Sequence, residues 1–261
     1  MADRDYKAFI VEGEAREPLI IDDISRVFFS HANFKIITLP AGQNIYMLWK
    51  KLEADDFETD IIEVLRESND DIKNQLIGLA RDDFSEVYLF FDYDMHQTNM
   101  GKDNDADAVA QMLESFDNET ENGKLYISYP MVEALRDYNP GICGDKGTCY
   151  VAVEDMKNYK DLSATRSANP QFKDYDYEIW KDIIDVFAMK VSCLWGEADT
   201  LEYERYSEAV NPFEIYSREK TLEEKVFVLS AFPEFLVDYF GEKLWRSCAR
   251  HGKNQRELLE C

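Results

Sequence analysis

No apolar run in the 261 residues approaches the roughly 18–20 that a membrane span needs, and the opening Met1-Ala-Asp-Arg-Asp carries no signal-peptide core. Both absences predict a cytoplasmic protein with no membrane partner. Cysteine is scarce and odd in number: five residues, Cys143, Cys149, Cys193, Cys248 and Cys261, scattered over the second half. That pattern excludes a disulfide framework. Cys143 and Cys149 are too far apart for a zinc knuckle, and the three histidines (His31, His96, His251) are too dispersed for a His-rich site. No GxxxxGK[ST] loop is present, so any ATPase activity belongs to a separate protein. Internal repeats and low-complexity tracts are missing too. Positive charge is in short supply, with 29 Lys+Arg against 53 Asp+Glu and a net charge of −24. Such a surface repels phosphate backbones, which argues against a protein that coats DNA but not against an enzyme whose site holds cations.

Apolar material is ample: 45% of residues are hydrophobic and 13% aromatic, enough for a packed core. Over the first 137 residues short strand-like runs alternate with helical periodicity. Residues 7–11 (KAFIV), 34–39 (FKIITL), 86–91 (EVYLFF) and 124–128 (KLYIS) read as strands. Between them, Pro18 opens a helix over Leu19–Phe29, Ile45, Leu48, Trp49 and Leu52 recur at helical spacing, and residues 61–79 and 109–116 are helical. This alternation predicts an α/β fold, a Rossmann-like and mainly parallel sheet with helices on both faces. Residues 138–175 read as an irregular loop with one helix near Val151–Tyr159. A mostly helical C-terminal region follows: Trp180, Ile183, Ile184, Phe187 and Val191 form one apolar stripe. Thr221-Leu-Glu-Glu224 matches a capping box before a helix over Val226–Ala231, which Pro233 interrupts. The chain therefore divides into residues 1–137, an α/β domain, and residues 138–261, an irregular loop with a helical C-terminal region.

In a parallel α/β sheet, function collects at the carboxyl ends of the strands. Here the first strand ends at Glu12, the third at Asp92 and Asp94, and the fourth leads to Glu133. Clustered carboxylates stay ionised together only when a cation compensates them, and hard oxygen donors suit Mg²⁺ or Mn²⁺. The chemistry that follows is hydrolysis of a phosphodiester. The net charge admits a different reading, a non-catalytic acidic interaction protein that mimics nucleic acid on an inert fold. A mimic needs its acids spread along one exposed face, whereas a nuclease needs them converging at strand ends beside glycine turns, and the sequence favours convergence.

The strings FIVEGE (residues 9–14), LPAG (39–42) and VYLFFDYD (87–94) resemble the Toprim domain of topoisomerases, primases and the overcoming-lysogenization-defect (OLD) nucleases. The resemblance covers roughly residues 6–135. It implies that Glu12 is the signature glutamate that binds metal or relays protons, that Asp92 and Asp94 are metal ligands, and that Gly13 and Gly42 make tight turns. YPMVEAL (129–135) is similar to the downstream motif of OLD-type nucleases, which implies a second-metal role for Glu133. Four residues after the signature glutamate, where many OLD-type members carry an acid, stands Arg16, with Glu14 and Glu17 as available substitutes. No tyrosine stands out as a nucleophile and no winged-helix module is visible, which argues against a topoisomerase. Within the family, the compact chain with a helical second half resembles the Toprim effector of the PARIS phage-defence system. That likeness implies a tRNA-cleaving effector, held by a partner ATPase until a phage trigger releases it to dimerise. Candidate substrate contacts are His96, Lys102, Arg246 and Arg250, with Lys146, Arg166, Lys253 and Arg256 as further cations.

Overall fold

A run of consecutive apolar residues in a strand must be covered on both faces, and the first strand meets that demand: Ala8, Phe9, Ile10 and Val11 have no exposed surface. The computed structural model describes residues 6–93, 107–139, 148–197 and 199–249. The chain divides into two compact units, Met1–Phe91 with Met95–Tyr126, and Asp92–Asp94 with Ile127–Cys261.

The elements of the first unit are β1 (Tyr6–Val11), α1 (Glu17–Phe28), β2 (Lys35–Pro40), α2 (Ile45–Glu53), α3 (Ile61–Ser68), α4 (Asp70–Gln75), β3 (Phe84–Asp92), α5 (Ala108–Ser115), β4 (Asp117–Asn118) and β5 (Gly123–Ser128). The last residue of β3 and the last two of β5 fall within the second unit. The five strands form one mostly parallel sheet in the order β2-β1-β3-β5-β4, flanked by helices. β1 pairs in parallel with β2 on one side and β3 on the other, while the short β4–β5 pair is antiparallel. Side chains set the helix starts. Pro18 sits in the first turn of α1, and Asn44, Asp60 and Asp107 accept the amides of Met47, Glu63 and Ala110 at 3.1, 3.0 and 3.2 Å. Phe9 packs against Tyr88 and Phe90 at 5.4 and 5.7 Å between ring centres, which ties β1 to β3 through side chains as well as backbone.

The second unit contains β6 (Tyr150–Ala152), α6 (Tyr159–Arg166), α7 (Tyr177–Leu194), α8 (Tyr203–Ala209), α9 (Pro212–Glu219), β7 (Lys225–Phe227) and α10 (Ala231–Cys248). The apolar stripe predicted for α7 is buried and packs against α10. α8 also meets α10, where Tyr206 lies 4.3 Å from Trp245 and the Trp245 indole donates to the Leu201 carbonyl at 3.1 Å.

Two local readings of the sequence change. The capping box at Thr221–Glu224 starts no helix: residues 225–227 form β7, antiparallel to β6, and Glu224 takes a left-handed φ of 57°. Val226, Phe227, Val228 and Leu229 are all buried, and four consecutive buried residues suit an extended chain better than a helix with one face outward. The helix begins at Ala231 under a Ser230 cap, and Pro233 lies in its first turn, where a missing amide costs nothing. Of the helix placed near Val151–Tyr159, residues Val153–Asn158 form a 3₁₀ helix that leads directly into α6, while residues 150–152 are drawn into the ribbon with β7. No described helix is long and apolar enough to cross a membrane.

Candidate functional site

The strand order creates the geometry of the site. The chain leaves β1 through α1 to β2 on one side, while β3 lies on the other, so the order reverses at β1. In open parallel sheets, ligands bind at the carboxyl ends of the strands flanking such a reversal. The register runs side by side to Val11 and Phe90, Glu12 is the residue after β1, and Asp92 is the last of β3.

Backbone bonds fix the turn that carries Glu12. Its amide donates to the Phe90 carbonyl at 3.3 Å, and its carbonyl accepts the Gly42 amide at 3.0 Å. The Ala41 amide reaches the Val11 carbonyl at 2.8 Å, so the β2–α2 loop closes over the end of β1. Gly42 has φ +62°, a left-handed conformation that favours glycine, and Glu14 Oε1 sits 3.2 Å from where its Cβ would lie. The Gly13 amide donates to Glu17 Oε1 at 3.2 Å, and Glu17 is buried although it opens α1. Of the acids near Arg16, Glu17 is therefore the one folded inward, while Glu14 is exposed.

Asp92 is half-buried at the end of β3. The next residue is clamped: the Tyr93 amide donates to the Ser128 carbonyl at 2.9 Å, and its ring lies 4.9 Å from Tyr129 and 6.2 Å from Tyr216. Burial pushes the Tyr129 hydroxyl well above its ordinary range, and the Glu234 and Glu219 carboxylates push it further. Glu219, whose carboxylate accepts the Phe227 amide at 2.8 Å, is itself raised to about 7 by burial, which that hydrogen bond only partly offsets. The motif reading missed this cluster of Tyr93, Tyr129, Tyr216 and Glu219. Two of the tyrosines stand in the motifs themselves, but nothing local marks Glu219, whose partner amide lies eight residues on.

Glu133 lies in a 3₁₀ turn, Val132–Leu135, and is fully buried with Lys160 Nζ 3.9 Å from its Oε1. One turn on, the buried Asp137 carboxylate accepts the Tyr159 hydroxyl at 2.9 Å and the Arg166 guanidinium, and the Asp137 carbonyl accepts Lys190 Nζ at 2.7 Å. Arg166, a candidate guide for phosphate, thus serves as a counter-ion for Asp137. Arg246 is exposed and pairs with Glu242 and Glu204, as suits a cation in the last turn of α10. Asp94, His96, Lys102 and Arg250 lie outside the described residues, as do Lys146, Lys253 and Arg256. Among the described residues no group of three or more His, Cys, Asp or Glu could hold a metal ion. The described part of the predicted ligand set is therefore Glu12 and Asp92 at neighbouring strand ends, with Glu133 in its own buried setting. All three supply hard carboxylate oxygens, the donors Mg²⁺ and Mn²⁺ take. Comparison with known protein families, curated proteins and solved structures returned no match.

Proposed function

We propose that this chain is a Mg²⁺- or Mn²⁺-dependent Toprim-type endonuclease that hydrolyses phosphodiester bonds, with RNA, tRNA above all, favoured over DNA. One observation carries the reading: the chain order reverses at β1, and the two strand ends flanking that reversal carry Glu12 and Asp92. Glu12, Asp92 and Asp94 would hold the cation, with Glu133 toward a second. The metal, when bound, supplies Lewis-acid stabilisation of the charge that develops on the phosphodiester as water replaces the leaving oxygen. The chain's own residues position that charge. The bonds from Glu12 to Phe90 and Gly42 fix its backbone, and the Tyr93 clamp fixes the residue after Asp92. The family likeness extends the proposal to a cytoplasmic anti-phage effector, restrained by a separate ATPase and acting as a homodimer on release.

Cleavage of tRNA and of duplex DNA by the purified chain, with Mg²⁺ or Mn²⁺ and with EDTA, tests the reading beside Glu12→Ala and Asp92→Ala. Metal-dependent cutting is expected to fall by roughly 10²-fold or more in each variant, the scale on which positioned catalytic groups act, with the fold retained. Undiminished cutting in both folded variants would sink the assignment.

A further inference from the structure

We propose that Glu17 is a positioning residue for Glu12, its buried carboxylate locking the Gly13 amide and so fixing the turn from which Glu12 projects. The functional half of this inference rests on the nuclease reading of Glu12; the structural half does not. Acids in the first turn of a helix favour the dipole and usually remain in solvent. Glu17, the first residue of α1, is instead 8% exposed, turned back onto the loop four residues behind it.

Glycine at position 13 is explained by that carboxylate. Gly13 is not among the glycines with positive φ, so its backbone does not demand glycine. The bond to Glu17 does: a Cβ there would lie 2.8 Å from both Glu17 oxygens and 3.1 Å from the carboxyl carbon, so the movable end of that side chain would swing aside and give up the Gly13 amide. Losing a side chain at 13 is what lets the carboxylate close onto the amide. The turn is then tethered to three elements: to β3 through Phe90, to the β2–α2 loop through Gly42, and to α1 through Glu17. Removing the third tether leaves the Gly13 amide without that acceptor and lets the Glu12 backbone shift. Catalysis is sensitive to such shifts, a displacement of about 1 Å costing on the order of 10²-fold.

Glutamine separates position from charge, because its amide oxygen still accepts the Gly13 N–H. The test compares full-length Glu17→Gln and Glu17→Ala by hydrogen exchange of the 10–17 segment and by metal-dependent RNA cleavage. Glu17→Ala is expected to speed exchange about tenfold, the scale of one lost hydrogen bond, and to lower kcat by roughly 10- to 100-fold with little change in KM. Glu17→Gln is expected to restore both. Gly13→Ala is expected to lower the melting temperature in the wild-type chain and to cost much less in the Glu17→Ala background, since the clash is gone.

Unchanged exchange in Glu17→Ala, or additive melting effects at 13 and 17, would overturn the lock. A folded Glu17→Gln as inactive as Glu17→Ala would show that Glu17 acts through its charge, overturning the positioning role. Should Glu17→Ala not fold, Glu17→Asp, one methylene shorter, takes its place and is read the same way. If the wild-type chain cuts nothing, the nuclease reading fails, and the exchange and melting arms still decide the lock.

Discussion

Glu219 is 3% exposed, and its carboxyl is pushed up to about 7 from an ordinary 4.5, chiefly by burial. Between those two values the folded chain holds a proton that the unfolded chain has released. The stability from this group is therefore fully present below about pH 4.5 and lost as pH rises through about 7. At roughly 1.4 kcal/mol per unit the loss is about 3 kcal/mol at most. Glu219→Gln keeps an oxygen for the Phe227 amide and cannot ionise. We expect it to melt higher than the wild type at pH 8 and to differ little at pH 5. Thermal melts of both chains from pH 5 to 8 check this, and parallel curves across the range would refute it. The same scale explains how far the site was legible. Glu12 and Asp92 follow from the strand-like runs they end, and the turns at Gly13 and Gly42 from the family likeness, whereas the burial of Glu17 and Glu219 depends on what folds back over them.

The α7 helix separates two kinds of contribution within one element. Asp176 caps it by accepting the Ile179 amide at 2.9 Å, and Ile184 in its middle has no exposed surface. Asp176→Ala is expected to cost about 1 kcal/mol through the lost cap. Ile184→Ala should cost about 2–5 kcal/mol through lost burial and the cavity left behind. Urea denaturation of both variants checks the order, and a cap variant as damaging as the core variant would contradict it. α7 was readable because its apolar residues recur at the helical period. β7 was not, because a run of consecutive apolar residues carries no period, and the polar Thr221–Glu224 ahead of it imitates a helix start. What decides it is a partner strand, β6, some 75 residues earlier.

For the molecule as a whole, a net charge of −24 sets the sign of its encounter with any polyanion. If the chain cleaves RNA, like-charge repulsion opposes association and salt screens it, the Debye length falling to about 10 Å near 0.1 M. We therefore expect kcat/KM at fixed saturating Mg²⁺ to rise as monovalent salt increases from about 10 to 100 mM, opposite to the trend for basic nucleases. A steep fall over that range would mean that a local cationic surface outweighs the net charge. The paired states of Arg166 and Arg246 are consistent with a small cationic contribution from those two positions.

By itself the sequence determined four of the five strands, β1, β2, β3 and β5, with their helices, because burial on both faces writes continuous apolar runs and helix periodicity writes the rest; the two polar residues of β4 carry no such run. It also determined which strand ends carry acids, since those residues directly follow the runs. Only the tertiary structure decided that β1 stands between β2 and β3, which sets the ends bearing Glu12 and Asp92 on neighbouring strands. It alone turned Glu17 inward onto Gly13, set Arg166 on Asp137, and drew residues 225–227 into a strand. Each of these rests on hydrogen bonds or ion pairs to partners whose identity no local pattern encodes, and whose strength depends on water being excluded around them.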